Sequence, residues 1–254
     1  VESPATTSTD WRVWVQLSSP ALVGFAPRHV ALWDWLTELK PGTSPRPYVA
    51  CWGRGGAKSS TVELGCAWVQ ARRSRRFVLY VSGTQAQADL HVGHIATVLE
   101  RRGVERALNR YGSSRGWRRD ELRTADGFNV AAMGLDTAAR GVKLDEFRPD
   151  LIVFDDVDDR HDTTETTEKK IASITQTILP AGSSDCAVLF VQNLVHRHSI
   201  ASRLADGTAD FLLDRFPVTV ERAVEGLTFE RIQQPDGTMR YAVTGGVATW
   251  EGQN

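Results

Sequence analysis

The chain has 254 residues, of which 41% are hydrophobic and 24% charged, and its formal net charge is −1. These values fit a globular protein with one large domain or two small ones, and they argue against a protein that coats DNA through bulk positive charge. Cys51, Cys66 and Cys186 are widely spaced and form no C-x-x-C pair. The cysteines therefore give neither a disulfide framework nor a zinc pattern, and a reducing compartment is expected. No apolar run approaches the roughly 18 residues needed to span a bilayer, and Val1 to Asp10 is Ser/Thr-rich without the basic and apolar segments of a secretion signal.

Taken in chain order, residues 1–10 read as a flexible start within a leader covering 1–24. Val30, Trp33, Leu36 and Leu39 recur at helical spacing, predicting a helix over His29 to Leu39. Pro41 to Pro47 then breaks the chain. Tyr48 to Trp52 is a short buried strand, followed by a glycine-rich turn and a helix through about Ala71. Phe77 to Val81 is a second strand, and Gln85 to Arg102 a long helix. Glu121 to Met133 carries an Asp126-Gly127 turn between extended segments, which predicts a hairpin. Leu151 to Phe154 is a buried strand, Thr164 to Ile178 a helix, and Ala187 to Val191 another buried strand with a helix after it. Beyond Phe211 the pattern is strand-like, with a Pro235-Asp236-Gly237 turn. Apolar strands alternating with helices predict an α/β fold with a mostly parallel central sheet flanked by helices.

Gly53-Arg54-Gly55-Gly56-Ala57-Lys58-Ser59-Ser60 follows a strand and opens a helix. In that context, glycines let backbone N–H groups converge on phosphate oxygens and the helix N-terminus favours negative charge. Lys58 then reaches the β and γ phosphates of ATP, and Ser59 offers its hydroxyl to Mg²⁺. The loop departs from G-x-x-x-x-G-K-[ST] at two places, since Trp52 and Ala57 stand where glycines belong. A glycine-rich βα turn with an incidental lysine is the alternative.

Asp150-Leu151-Ile152-Val153-Phe154-Asp155-Asp156 runs four apolar residues into two carboxylates. A buried strand delivering acids at its C-terminal edge puts them in the crevice where open α/β sheets bind ligands. Asp155 is the candidate Mg²⁺ ligand, and Asp156 the candidate group that orients or deprotonates an attacking water. A solvated acidic turn is the alternative, because Asp158, Asp159 and Asp162 follow closely.

Four segments together resemble the large terminase of tailed bacteriophages. Gly53 to Ser59 is similar to that family's arginine-bearing phosphate loop. Tyr80 to Ala88 resembles the strand and turn with a Gln-Ala pair opening the next helix. Gly134 to Gly141 followed by Arg148 to Asp156 looks like the stretch leading into the acidic strand, and Val247 to Trp250 like the exit toward the nuclease. The resemblance spans about residues 25 to 252 and implies a P-loop NTPase of the additional-strand type. It divides the chain into a leader at 1–24, an ATPase domain at 25–246 and, at 247–254, the start of a linker to a nuclease domain. No nuclease activity is expected of this segment.

As function, the resemblance implies ATP hydrolysis driving double-stranded viral DNA into a procapsid, with ATP and Mg²⁺ as cofactors. The implied partners are DNA, a portal protein, a small terminase subunit and further copies of the chain in a ring, the isolated chain being monomeric. The implied place is the host cytoplasm, transiently on the procapsid. A helicase-like ATPase, or an ATP-binding assembly module without turnover, is the alternative.

Further residues take candidate roles within this reading. Gln192 and Asn193, ending the strand after the acidic one, are candidates for coupling hydrolysis to movement, or a simple strand cap. Arg54 is a candidate arginine finger in cis, and Arg140, between Ala139 and Gly141, one in trans. Arg28 and His29 resemble the segment that contacts adenine. Arg118-Arg119 is the candidate DNA contact, whereas Arg72-Arg73 with Arg75-Arg76 and Arg101-Arg102 fall at predicted helix C-termini, where cations complement the dipole. His196-x-His198 is read as no metal site, because no thiol or defined third ligand accompanies it.

Overall fold

The fold is described from a computed structural model, for residues 10–22, 24–137, 147–209, 211–212 and 214–250. A seven-stranded sheet is built from β1 (Tyr48–Trp52), β2 (Phe77–Ser82), β3 (Glu121–Arg123), β4 (Asn129–Gly134), β5 (Leu151–Asp155), β6 (Ala187–Gln192) and β7 (Thr219–Glu221). The spatial order is β3-β4-β2-β5-β6-β1-β7. Every pairing is parallel except β3 with β4, which forms the hairpin expected around Asp126-Gly127. Strand β6 lies between the glycine-loop strand β1 and the acidic strand β5, which is the additional-strand arrangement. The central strands are buried along their whole length, because helices cover both faces.

The helices are α1 (Trp11–Ser18), α2 (Pro27–Glu38), α3 (Lys58–Ala71), α4 (Gln85–Arg101), α5 (Thr164–Ser173), α6 (Leu179–Ala181) and α7 (Ile200–Asp206). Alternate strand residues serve opposite faces. Ala50, Val78, Tyr80, Val153 and Leu189 face a core shared with α1 to α4, while Val49, Leu79, Ile152, Phe154 and Phe190 face one shared with α7 and the Ile174–Ile178 segment. The helix expected over 164–178 closes in a π turn at Ile174–Ile178 and passes into α6, where Pro180 has no N–H to continue the ladder.

The first core is rich in indoles. Trp11 stacks on Trp33 at 5.3 Å, and Trp14 meets Trp68 edge-on at 5.4 Å. Within the stretch 1–24 read as a leader, Trp11, Trp14 and Val15 of α1 are core residues. Asp10 accepts from the Arg12 N–H, and Arg101 donates to the Ser18 carbonyl, so both ends of α1 are tied down. Arg75, after the end of α3, is buried and donates to the Thr43 carbonyl at 2.9 Å, with Asp185 3.8 Å away.

Strands β8 (Val224–Gln233) and β9 (Met239–Ala248) form a separate antiparallel hairpin around Asp236-Gly237. Residues 249 and 250, in the stretch read as the start of a linker, contact the region that precedes and opens α2. Thr249 accepts from Arg28 at 3.0 Å, and the Trp250 indole donates to the Gly24 carbonyl at 3.3 Å.

Candidate functional site

The glycine loop crosses from β1 to α3. Gly53 approaches Ala223 so closely that an added Cβ would lie 2.8 Å from its backbone nitrogen. The N–H of Gly53 donates to the Glu221 carbonyl, tying the loop to β7. Trp52, at the position of a glycine in the usual pattern, points away from the loop into the core, where its ring meets His29 at 5.2 Å. Ala57, at the second such position, adopts the left-handed conformation with φ 52° and ψ 30° and precedes the first residue of α3. A glycine is therefore replaced at a place where the backbone still has a glycine's geometry. Lys58 and Ser59 open α3, so the first N–H groups of the helix face the same space as their side chains.

His29 supports the loop from behind. Its Nδ1 accepts from the Ala26 N–H at 3.0 Å, leaving Nε2–H to donate to the Gly56 carbonyl at 2.9 Å. Both bonds are satisfied only by the neutral ring. Burial, the leading cause, holds the ring's pKa below the usual histidine value, even though the Gly56 bond opposes it. Arg28 is also buried and lies near the Trp52 face.

Strand β5 delivers Asp155, fully buried, and then Asp156. The register aligns Asp155 with Val191 of β6, and Val191 with Ala50 of β1, so the acids emerge level with the glycine loop. Tyr80 donates its hydroxyl to Asp155 Oδ2 at 2.7 Å. Burial pushes the Asp155 carboxyl up to about 6, the neighbouring Asp156 charge adds to this, and His91 and hydrogen bonds from Tyr80 and Ser59 oppose it. Asp156 has φ 50°, a left-handed turn that ends the strand, and its carbonyl accepts from the Gly83 N–H at 3.1 Å. Asp155 Oδ1 and Asp156 Oδ1 are buried and meet no hydrogen-bond donor. A buried carboxylate with a spare lone pair beside a serine hydroxyl fits Mg²⁺, which takes oxygen ligands.

Immediately after these acids, Asp158 caps α7. It accepts from the N–H groups of Ile200 at 2.8 Å and Ala201 at 3.0 Å. Its own N–H donates to Gln192 Oε1 at 3.4 Å, so the exit of β5, the end of β6 and α7 are joined.

The loop and Asp156 border a cavity of about 760 Å³. Arg54, Gly55, Gly56, Ala57, Lys58, Ser59, Ser60, Asp156 and Asn193 all line it. Gly53 lines the adjoining groove with Arg54 and Asn193, while Asp155 lies below the surface. Gln192 is buried behind the cavity. Arg28 and His29, proposed from sequence to contact adenine, are not among the lining residues; they brace the loop and Trp250. Arg118 and Arg119 are exposed and paired with acids, Arg118 with Glu121 at 2.8 Å and Arg119 with Asp89 at 3.0 Å. Arg140 lies outside the described residues.

Some lining residues had no signal in the sequence. Arg160 and Lys170 bring two further cations to the cavity, and Lys170 donates to the Val157 carbonyl and to Asp162. Gly83, Thr84 and Gln87 also line it. Thr84 and Gln87 form a reciprocal capping box at the start of α4, a pattern the sequence does carry. Behind Asp155, His91 and His94 of α4 both meet Glu63 of α3.

No known family model matches the chain, and no curated protein matches it in sequence. Solved structures do. The ATPase domain of the Thermus phage P74-26 large terminase is 18% identical, with a TM-score of 0.46, over 71% of this chain and 68% of that one. S. cerevisiae dbp5, solved with nup159, gle1, IP6 and ADP, is 10% identical with a TM-score of 0.47, over 87% of this chain and 52% of that one. The bacteriophage HK97 large terminase is 10% identical with a TM-score of 0.50, over 84% of this chain. The match spans 42% of the HK97 protein. At such identities the likeness concerns the fold, and in fold this chain is similar to a phage large terminase.

Proposed function

We propose that this chain binds and hydrolyses ATP in the cavity between the glycine loop and the acidic strand, as the motor part of a viral DNA-packaging machine. The observation that carries the reading is that Lys58, Ser59 and Asp156, far apart in sequence, line one cavity on the C-terminal edge of a parallel sheet, with Asp155 buried beside Asp156.

In this reading the loop amides and Lys58 hold the phosphates, with Arg160 and Lys170 adding positive charge at the rim. Ser59 and Asp155 hold Mg²⁺, which when bound neutralises charge on the phosphate oxygens. Asp156 receives the proton of, or orients, the attacking water, and its left-handed turn directs the side chain at the cavity. Arg54 stabilises charge on the transferred group in cis, and Arg140 does so from a neighbouring copy in a ring. Asn193 lines the cavity and Gln192 holds the Asp158 N–H, so the end of β6 is a connection from the site to α7. Double-stranded DNA, a portal protein and a small terminase subunit are the proposed partners, on a procapsid in the host cell. Arg118 and Arg119 are the proposed phosphate contacts on DNA, for which their present carboxylate partners would have to be exchanged.

The test is Mg²⁺-dependent phosphate release with and without double-stranded DNA, for the chain and for Lys58→Ala. Release that DNA stimulates and Lys58→Ala abolishes is expected. ATP binding with no release under any stimulation would instead indicate a binding module, and unwinding of duplex DNA would favour a helicase.

A further inference from the structure

Behind the cavity, α3 and α4 bring together three side chains that ATP chemistry leaves without a task. Glu63 Oε1 lies 2.7 Å from His91 Nδ1 and 2.9 Å from His94 Nδ1. All three potential ligand atoms fall within 4.8 Å of one another. His91 and His94 stand three apart on α4, so they share one helix face and converge on the carboxylate from α3. Glu63 and His91 are largely enclosed, whereas the His94 side chain is 53% exposed and opens the cluster to solvent.

We propose that Glu63, His91 and His94 form a site for a divalent transition metal of the zinc class, separate from the Mg²⁺ position. The donor set is two imidazole nitrogens and one carboxylate oxygen, which suits zinc, cobalt or nickel and not magnesium, whose preference is for oxygen alone. Three protein ligands with one solvent-facing side leave a fourth position for water.

A second observation, at the other ring nitrogen of His91, points the same way. The other ring nitrogen of His91 faces Asp155 Oδ2 at 3.9 Å. Metal-ligating histidines commonly direct their remaining N–H at a carboxylate, which fixes the tautomer and raises ligand basicity. Tyr80 completes that outer layer, stacking on the His91 ring at 5.1 Å while donating to the same Asp155 oxygen. His91 thus stands between the two metal positions, and a metal at Glu63, His91 and His94 orients the N–H that faces Asp155.

The site does not depend on the ATPase reading, and its test needs no turnover. The full chain, freed of metal by chelation, is titrated with Co²⁺ alone while visible absorption follows coordination by nitrogen and oxygen ligands. One equivalent is expected to produce a d–d band that Zn²⁺ then displaces. His94→Ala, at a half-exposed position, loses the band; Glu63→Gln, which keeps the side chain's volume, loses it as well. Asp155→Asn removes the outer carboxylate and weakens Co²⁺ binding about 10- to 100-fold. Absence of a stoichiometric band in the unmodified chain would overturn the proposal. So would a band that survives His94→Ala and vanishes in Asp155→Asn, because that metal would sit at the Mg²⁺ position.

Discussion

Replacing Asp155 by Asn separates stability from catalysis at this site. The carboxyl moves from an ordinary value of 3.8 to about 6 on folding, chiefly through burial. Between those two values the folded chain holds a proton that the unfolded chain has released, so stability falls as pH rises. The integrated loss is on the order of 3 kcal/mol once pH exceeds the folded value. Asn has no charge to bury and escapes this loss. In urea unfolding without metal, Asp155→Asn should therefore be more stable than the parent by on the order of 3 kcal/mol at about pH 7.5, and by under about 1 kcal/mol at about pH 4. Mg²⁺ should stabilise the parent only, by about 2.7 kcal/mol at 100 times its dissociation constant. The variant should nonetheless lack Mg²⁺-dependent hydrolysis. A variant less stable than the parent at pH about 7.5, or a gain of equal size at both pH values, would refute the reasoning.

Three other substitutions follow from the geometry. Ala57→Gly removes a left-handed alanine worth about 1–2 kcal/mol, against which glycine's extra freedom in the unfolded chain sets about 0.4–1 kcal/mol, so urea unfolding should show a net gain. Asp158→Ala frees the N–H groups of Ile200 and Ala201 and should cost about 1–2 kcal/mol, read from the same denaturation curves. Asp156→Asn should leave ATP affinity nearly unchanged by calorimetry while stopping phosphate release; an equal loss of affinity would remove the proposed role of Asp156 with water.

The sequence determined the elements whose signals are local. The runs Tyr48–Trp52, Leu151–Phe154 and Ala187–Val191 are short and apolar on both faces, as interior strands of a covered sheet are, and they form such strands. Glycines before Lys58, and acids after Phe154, mark strand ends where a ligand site forms, because a buried strand must surface there. What the sequence left open was set by contacts between distant segments. Helix α1 has eight residues, too few to hold helical structure alone, and exists because Trp11 and Trp14 bury against Trp33 and Trp68. Trp52 is tolerated beside the loop because the pleat turns it into that same core. The bond from His29 to the phosphate loop has no signal in the sequence and forms because α2 brings the ring to within 2.9 Å of the Gly56 carbonyl. Arg160 and Lys170 reach the cavity only through the fold of the segment after β5. Glu63 and the two histidines of α4 are separated by 28 and 31 residues, and no periodicity links them. Their convergence is decided by the packing of α3 against α4, since the side chains of one helix reach those of another only once the core beneath both has formed.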